Sequence, residues 1–240
     1  MTFDQAEYVI RCEWGLRGMK ELAPVSAVVI IVDVLSFTTA LDIATSRGAV
    51  VCPYPLRDES AAGYAASVNA NLAYSRSHQA FSLSPASLQS LPAGYRLVLP
   101  SPNGAALSFS ADHPTVLGAC LRNAVAVAVA AIPLGATFAV VPAGETWATG
   151  ELRPAVEDLI GAGAVIASLP GSRSPEAELA VASFERFRDH LSQALRESSS
   201  GKELIERGFS RDVELAAEYD VSSAVPRLVD RAYVASERSI

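Results

Sequence analysis

Apolar residues fall mostly in short continuous runs, and few segments show strict alternation with polar residues. Most runs are rich in valine and isoleucine and end at polar or turn-forming residues. Continuous runs of this length are typical of strands that helices cover on both faces. The runs predict six strands, at residues 7–11, 27–32, 49–53, 96–99, 115–118 and 137–141.

Segments with helical periodicity separate these strands, at residues 37–47, 57–69, 104–110, 122–131 and 154–168. Such alternation predicts an α/β fold, a three-layer α/β/α sandwich with a mostly parallel or mixed sheet. The length of 240 residues suits a single α/β domain. It leaves open two subdomains that share the sheet, at about 1–112 and 113–240.

The last third of the chain has a different pattern. Residues 175–197 are charged and amphipathic, and the Ser-Ser-Ser-Gly sequence at 198–201 is expected to end that helix. Two short helices, at 202–207 and 212–218, are expected to follow. We therefore predict a helical C-terminal segment packed on the sheet. Residues 75–92 lack periodicity and predict a loop or irregular segment.

Charge and cysteine content exclude several classes of function. The formal net charge is −7, and Lys20 and Lys202 are the only lysines, so clustered basic residues for nucleic acid are missing. The three cysteines have no metal-binding spacing, which favours a reducing, cytoplasmic location. The N-terminus does not resemble a signal peptide, and no apolar run is long enough to span a bilayer. Homo-oligomerisation is left open.

Polar residues follow three of the predicted strands. Asp33 follows the strand at 27–32, Asn103 and Gly104 follow the strand at 96–99, and Glu145 follows the strand at 137–141. Ligands of open α/β sheets bind outside the carboxyl ends of strands. We therefore expect these groups to converge, although they are far apart in the sequence.

The residue types around Asp33 predict an anion held with a metal ion. The free amide of Gly104 at a helix start suits phosphate, and Thr38 and Thr39 add neutral donors. A carboxylate repels an anion unless a cation lies between them. Magnesium prefers carboxylate oxygen and commonly contacts substrate phosphate. Asp33 is therefore a predicted Mg²⁺ ligand.

Glu157 and Asp158 open another predicted helix and form a second acidic group. Adjacent helical residues point about 100° apart, so we expect one acid to face the site and the other to face solvent or cap the turn. Which of them binds metal is left open. Helix capping is the alternative explanation for Asp33 and for the acidic pair, and a simple turn is the alternative for Asn103-Gly104.

An ordered set of motifs adds a resemblance to a known family. The motifs are Asp33-Val34-Leu35 with Thr38-Thr39, Pro102-Asn103-Gly104, Arg122-Asn123-Ala124, Ala143-Gly144-Glu145, Glu157-Asp158 with Gly161-Ala162-Gly163, and Asp212-Val213-Glu214. In order and spacing, over about residues 28–226, the chain resembles the 2-phosphosulfolactate phosphatase family.

This resemblance implies a magnesium-dependent acid phosphatase with an α/β/α fold. The expected substrate is a phosphate ester of a small sulfonated hydroxy acid, and the reaction is associated with coenzyme M synthesis. Carried over position by position, the resemblance implies site roles for Asp33, Asn103, Asn123, Gly144, Glu157 and Asp158.

The chain departs from the family pattern at two places. Ser36 stands where the family's first motif has an arginine, and no Gly-Glu-Arg segment precedes the family's second motif, which survives only as Ser-Leu-Ser-Pro at 82–85. The lost guanidinium is a natural partner of phosphate or sulfonate. Arg122 or Arg153 could replace it. The alternative is a degenerate family member that binds a small anion without turnover.

Our leading hypothesis is magnesium-dependent hydrolysis of a small anionic phosphomonoester. Asp33 with Glu157 or Asp158 would hold the metal. Asn103 and the Gly104 amide, together with Thr38 and Thr39, would bind the phosphate. The further candidates are Glu145 as a base, and Arg122, Asn123 and Gly144 as substrate-binding residues.

A cysteine hydrolase is a weaker alternative. Cys120 lies between a predicted strand and a predicted helix, where a thiolate can be favoured. The isochorismatase-type hydrolases that use this arrangement need a lysine between their aspartate and cysteine. No lysine lies between Asp33 and Cys120.

Overall fold

The computed structural model describes residues 3–74, 76 and 81–235, and this part of the chain contains eleven strands. They are β1 (Ile10–Cys12), β2 (Val28–Val32), β3 (Val50–Tyr54), β4 (Asn71–Leu72), β5 (Arg96–Pro100), β6 (Val116–Ala119), β7 (Phe138–Pro142), β8 (Glu145–Thr146), β9 (Leu152–Arg153), β10 (Pro226–Val229) and β11 (Ala232–Ala235). Strands β8 and β9 pair only with each other, and the other nine form one sheet in the order β1-β7-β2-β6-β10-β11-β3-β5-β4.

The same residues contain eleven α-helices. They are α1 (Gly15–Leu22), α2 (Phe37–Ser46), α3 (Ser60–Ser67), α4 (Pro85–Leu88), α5 (Gly104–Ser110), α6 (Ala124–Ala131), α7 (Val156–Ile166), α8 (Pro175–Phe187), α9 (Leu191–Glu197), α10 (Ser199–Glu206) and α11 (Ser210–Ala216). Within the described ranges, no helix is both long enough and apolar enough to cross a membrane.

The large sheet consists of two parallel blocks that run in opposite directions. Strands β1, β7, β2 and β6 are mutually parallel, and so are β3, β5 and β4. The hairpin of β10 and β11 lies between the blocks and pairs antiparallel with β6 and with β3. These three antiparallel pairings reverse the strand direction from one block to the other. The sheet is therefore mixed.

Alternate residues of β2 are covered by helices on opposite faces of the sheet. Val28, Ile30 and Val32 belong to one buried cluster, with side chains of α6, α7 and α8. Val29 and Ile31 belong to another cluster, with side chains of α1 and α5. Burial on both faces explains why β2 is a continuous apolar run. The predicted three-layer α/β/α architecture is confirmed.

All six predicted strands and the predicted helices are present, with differences at several ends. The helix before Ser198 ends at Glu197, as the sequence predicted, but the next helix begins at residue 199 and not at residue 202. Ser198 is the N-cap of α10, and its side chain accepts a hydrogen bond from the amide of Gly201 (3.0 Å). Serine is a favoured N-cap, so the sequence here starts a helix.

The C-terminal segment is not entirely helical, because β10 and β11 occupy the centre of the sheet. Tyr233 of β11 is fully buried, and its hydroxyl lies 2.9 Å from that of Ser108. Part of the segment predicted to be irregular lies outside the described residues. In the described part, Pro85–Leu88 forms α4 and Ser82 bridges to Tyr74.

Candidate active site

The loop after β5 brings the first residue of α5 to the carboxyl end of β2. The amide of Gly104, at the start of α5, donates a 2.8 Å hydrogen bond to Asp33, which directly follows β2. Beyond the end of α5, His113 Nε2 lies 2.9 Å from the carbonyl oxygen of Ser26, just before β2. The helix thus runs antiparallel along β2. Gly104 meets Asp33 because the loop after β5 brings the start of α5 to this point, and not because β5 ends beside β2. Glu145 joins the group because β2 and β7 are parallel neighbours that end side by side, as expected from the sequence.

Two backbone amides hold the buried carboxylate of Asp33. Oδ2 accepts from Gly104, and Oδ1 accepts from Phe37 at 3.1 Å, at the start of α2. Asp33 therefore caps α2 as well as lying at the candidate site. Burial raises the pKa of Asp33 and the charge of Glu157 adds to this, whereas the two amides and the charge of Arg57 lower it.

Gly104 permits the close approach of α5 to Asp33. A Cβ atom at this position would lie 2.7 Å from Oδ2 of Asp33 and 2.7 Å from Cδ1 of Phe37. Real Cβ contacts are never this short, so a larger residue would displace the carboxylate. The glycine is therefore required for packing, in addition to the turn predicted from the sequence.

Asp158 is held in the same way by two other backbone segments. Its Oδ1 accepts from the amide of Val34 at 2.7 Å, and its Oδ2 accepts from that of Gly144 at 2.9 Å. Gly144 has a φ of +68°, a conformation that favours glycine. Burial raises the pKa of Asp158 well above its usual value, with the charges of Asp33 and Glu157 adding to the effect. Asp158 thus joins α7 to the ends of β2 and β7.

Glu157 is also buried, with 2% of its surface exposed. The expectation that one of the two adjacent acids faces solvent or caps the turn was wrong, because Asp158 is 3% exposed and its carboxylate binds the amides of Val34 and Gly144. The start of α7 is enclosed by neighbouring strand ends, so both faces of this turn are inside. Among the described residues, the Glu157 carboxylate has no hydrogen-bond or ion-pair partner, although its charge acts on Asp33 and Asp158.

Glu145 and Asn103 form the less buried side of the cluster. Nδ2 of Asn103 donates a 2.8 Å hydrogen bond to Oε2 of Glu145, and Oδ1 of Asn103 accepts from the hydroxyl of Thr146 at 3.3 Å. Burial raises the pKa of Glu145 to about 7, helped by the charges of Asp33 and Glu157. A carboxyl with a pKa near neutrality can exchange a proton during a reaction.

The hydroxyl groups of Thr38 and Thr39 serve the backbone of the turn after β2. Thr38 Oγ1 donates to the carbonyl oxygen of Asp33 (2.8 Å) and accepts from its amide (2.9 Å). Thr39 Oγ1 donates to the carbonyl oxygen of Val34 (2.8 Å). Both side chains are fully buried. Their expected binding to a substrate stays a prediction, and it requires these bonds to break.

Three other residues considered in the sequence analysis follow β6. Their side chains bond to groups other than the carboxylates described above. Arg122 donates to Asp42 (Nε to Oδ2, 2.8 Å) and pairs with Glu218. Asn123 accepts from the amide of Cys120 (2.8 Å) and donates to the carbonyl oxygen of Ala224 (3.1 Å). Burial raises the pKa of the Cys120 thiol to about 12, so a thiolate nucleophile is disfavoured.

A buried arginine beside Ser36 was missed in the sequence. Arg76 donates from Nη2 to the hydroxyl of Ser36 (3.1 Å) and pairs with Asp212 through Nη1. Ser36 is the position at which the sequence lacked an arginine. The only signal in the sequence was a lone arginine in an irregular segment, and this segment gave no periodicity from which to place it.

Carboxylate oxygens are the ligands that a hard cation prefers, but the carboxylates of this site do not supply a complete coordination shell. Asp33, Glu145, Glu157 and Asp158 supply oxygen atoms and repel one another. Within the described ranges, no three acidic, histidine or cysteine side chains are arranged to hold a metal ion by themselves. Magnesium commonly takes one or two carboxylates and completes its shell with waters and substrate phosphate. Asp33 with the unpartnered Glu157 fits that type of site.

Comparison with known proteins agrees with these motifs. The family model described as 2-phosphosulpholactate phosphatase matches residues 18–231. The chain belongs to the 2-phosphosulfolactate phosphatase family. This membership confirms the resemblance found in the sequence.

Three curated members of the 2-phosphosulfolactate phosphatase family are similar to part of the chain. The 2-phosphosulfolactate phosphatase of Methanothermobacter thermautotrophicus is 35% identical over 130 residues, 54% of each chain. The probable 2-phosphosulfolactate phosphatase of Gloeobacter violaceus is 32% identical over 136 residues, 56% of each chain. That of Carboxydothermus hydrogenoformans is 32% identical over 146 residues, 60% of this chain and 59% of the relative. The matches therefore span a little over half the length of these relatives.

Proposed function

We propose that this protein is a magnesium-dependent phosphatase that hydrolyses a phosphomonoester of a small hydroxy acid, with or without a sulfonate. The single observation that carries the proposal is the group of four carboxylates beside Asn103, where the ends of β2 and β7 meet the starts of α5 and α7. The names of the relatives support the same reaction.

Asp33 and Glu157 are the proposed metal ligands. Of the adjacent pair, Glu157 is preferred because it has no partner among the described residues, whereas both oxygens of Asp158 accept backbone amides. Both oxygens of Asp33 also accept amides, so Asp33 would bind a cation through the lone pairs that these hydrogen bonds leave free. When bound, magnesium would polarise a phosphoryl oxygen and offset the negative charges of the site. The role of Asp158 is then to fix the ends of β2 and β7 relative to α7.

Asn103 and Glu145 are proposed to act on the substrate directly. Asn103 presents its amide at the open side of the cluster, where it can donate to a phosphate oxygen if it leaves Glu145. Glu145, with a pKa near 7, can remove a proton from the attacking water or return one to the leaving alkoxide. In each role, a bound substrate must replace the hydrogen bond between Asn103 and Glu145.

The test is phosphate release from 2-phosphosulfolactate and a panel of other phosphomonoesters, with magnesium or with EDTA. We expect turnover with magnesium only, and a loss of about 100-fold or more in kcat for Asp33→Asn and for Glu145→Gln, as is usual for catalytic carboxylates. Glu185→Gln, an exposed change on α8, is the matched control and should keep full activity. Equal rates for Asp33→Asn and the control would refute the proposal.

The alternative is a family member that binds a small anion without turnover. Its specific support is that the donors expected for phosphate beside Asp33, on Thr38, Thr39 and Gly104, are all used within the protein, whereas the guanidinium of Arg76 keeps N–H groups that can bind an anion. The same assay decides between the two. Thermal stabilisation by phosphate or sulfolactate, with no release from any ester, would favour the alternative.

A further inference from the structure

A cavity of about 740 Å³ opens beside β4 and β5. Its described lining includes three arginines, Arg57, Arg76 and Arg207, and one acidic residue, Asp58. Its volume lies within the range of about 300–1,000 Å³ that small-molecule sites have. We call it the arginine cavity.

Arg76 is fixed in the arginine cavity from several sides. Its side chain is 9% exposed, and it bonds to Asp212 and to the hydroxyl of Ser36. Its guanidinium also lies over the ring of Phe209, with Cζ 5.3 Å from the ring centroid. Five N–H donors project from a guanidinium, so donors remain after these two partners are satisfied. This is a preorganised site for an oxyanion.

Asp212 is in turn held by the turn before α4. Its Oδ1 accepts from the hydroxyl of Ser84 (2.6 Å) and from the amide of Ala86 (3.1 Å), while Oδ2 is bound by Arg76. Asp212 is 1% exposed. Its role is therefore to position Arg76, rather than to cap its own helix α11 or to bind a metal.

The three arginines leave an excess of positive charge around the cavity. Arg57 has no ion-pair partner among the described residues, and Arg207 pairs only with an exposed glutamate one helical turn away (2.9 Å). Burial lowers the pKa of Arg76, and the charges of Arg207 and Arg57 lower it further. A bound anion would relieve this repulsion.

The arginine cavity adjoins the proposed catalytic residues through two short connections. Ser36, bound by Arg76, immediately precedes Phe37, whose amide holds Asp33. Pro100, which lines the cavity, ends β5 four residues before Gly104. The charge of Arg57 also acts on Asp33 and lowers its pKa. We therefore infer that a molecule with one group at Asp33 can extend toward Arg57 and Arg76.

We propose that the arginine cavity binds an acidic group of the substrate other than the phosphate that is hydrolysed, and that Arg76 is its main specificity-determining residue. The group is a carboxylate or a sulfonate. The inference rests on the proposed function, and it assigns the recognition of the acid to Arg76, with Arg57 and Arg207, and not to Arg122 or Arg153.

The first experiment compares two esters that differ in one carboxylate, 2-phospholactate and 2-propyl phosphate. Each is assayed with the wild type, Arg76→Gln, and the exposed-site variants Arg57→Gln and Arg207→Gln. We expect Arg76→Gln to raise the KM for 2-phospholactate about 10- to 100-fold, the usual value of a charged hydrogen bond, and to leave 2-propyl phosphate unchanged. Arg17→Gln, at an exposed position on α1, is the matched control and should change neither.

Several outcomes would overturn the assignment. Equal losses for both esters in Arg76→Gln would mean that the arginine acts on the scissile phosphate or on the fold. If Arg76→Gln does not fold, the exposed Arg57→Gln and Arg207→Gln must still raise the KM for 2-phospholactate selectively, and no change in either would refute the proposal. Inorganic sulfate should compete with 2-phospholactate. An increase by sulfate in turnover of 2-propyl phosphate would instead indicate a separate effector site.

A binding measurement separates this inference from the proposed function. Sulfolactate, which has no phosphate, should raise the Tm of the wild type and of Arg17→Gln, but not that of Arg76→Gln, even if no ester is hydrolysed. That result would support the arginine cavity as the acid site while refuting the phosphatase activity. Equal stabilisation of all three proteins, or of none, would refute the arginine cavity.

Discussion

Replacing Glu145 by glutamine should change how the stability of the protein depends on pH. Glu145 lies at the edge of a group of carboxylates, and burial raises its pKa from 4.5 to about 7 in the folded state. Glutamine keeps an oxygen that can accept the hydrogen bond from Asn103, but it carries no charge. The substitution therefore isolates the cost of the negative charge at this position.

The sign follows from the raised pKa. Between pH 4.5 and 7, Glu145 holds a proton in the folded protein that it has lost in the unfolded chain. Its favourable contribution to the free energy of unfolding is therefore fully present below pH 4.5 and is lost as the pH rises through 7. A shift of this size corresponds to about 3 kcal/mol. Because Glu145 is partly exposed, we expect about 1–3 kcal/mol in practice.

The assay is urea unfolding from pH 5 to pH 8 in EDTA, which removes divalent ions. Relative to wild type, Glu145→Gln should gain about 1–3 kcal/mol in free energy of unfolding between pH 5 and pH 8. Glu185→Gln is the matched control, and its difference from wild type should not change with pH. A difference for Glu145→Gln that is equally flat would refute the reasoning about the carboxylate cluster.

Three further substitutions test other parts of the site. Glu157→Gln removes an unpartnered buried charge, so the free energy of unfolding in EDTA should rise by about 1 kcal/mol. The rise in Tm that magnesium causes in the wild type should disappear in this variant. A magnesium response equal to that of wild type would contradict this. Gly104→Ala places a Cβ against Asp33 and should lower stability by about 1–3 kcal/mol together with activity. Gly63→Ala, inside α3 with nothing within 4 Å of its Cβ, should keep full activity and raise stability by about 0.5–1 kcal/mol. Arg122→Gln leaves a buried carboxylate without its partner and should cost about 3 kcal/mol of stability with an unchanged KM; a raised KM in folded protein would instead support the substrate-binding role predicted from the sequence.

The sequence predicted the part of the fold that depends on local pattern. Continuous apolar runs such as β2 and helices such as α5 follow from hydrophobicity and periodicity alone. The hairpin of β10 and β11 was missed because Arg227, Asp230 and Arg231 interrupt its apolar residues. Its place in the centre of the sheet depends on pairing with β6 and β3, which are distant in the chain. Pairing of this kind leaves no local signal.

The sequence drew attention to the acids that lie together in the structure, but not to Arg76. Asp33 and the pair at the start of α7 were found because an acid in an otherwise apolar stretch is conspicuous. Arg76 was not found, because its position depends on Asp212, 136 residues later in the sequence. Thr38 and Thr39 were predicted to bind substrate, and the sequence could not show that their hydroxyl protons bind the backbone.

The central claim, that these carboxylates hold a cation which in turn holds a phosphate, is tested most directly by crystals grown with Mn²⁺ and phosphate. Mn²⁺ prefers the same oxygen ligands as magnesium and is identified by its anomalous scattering. We predict an anomalous peak at the carboxylates of Asp33 and Glu157, with phosphate bound beside it on the Asn103 side. A peak elsewhere, or phosphate bound only in the arginine cavity with no metal at Asp33, would contradict the account.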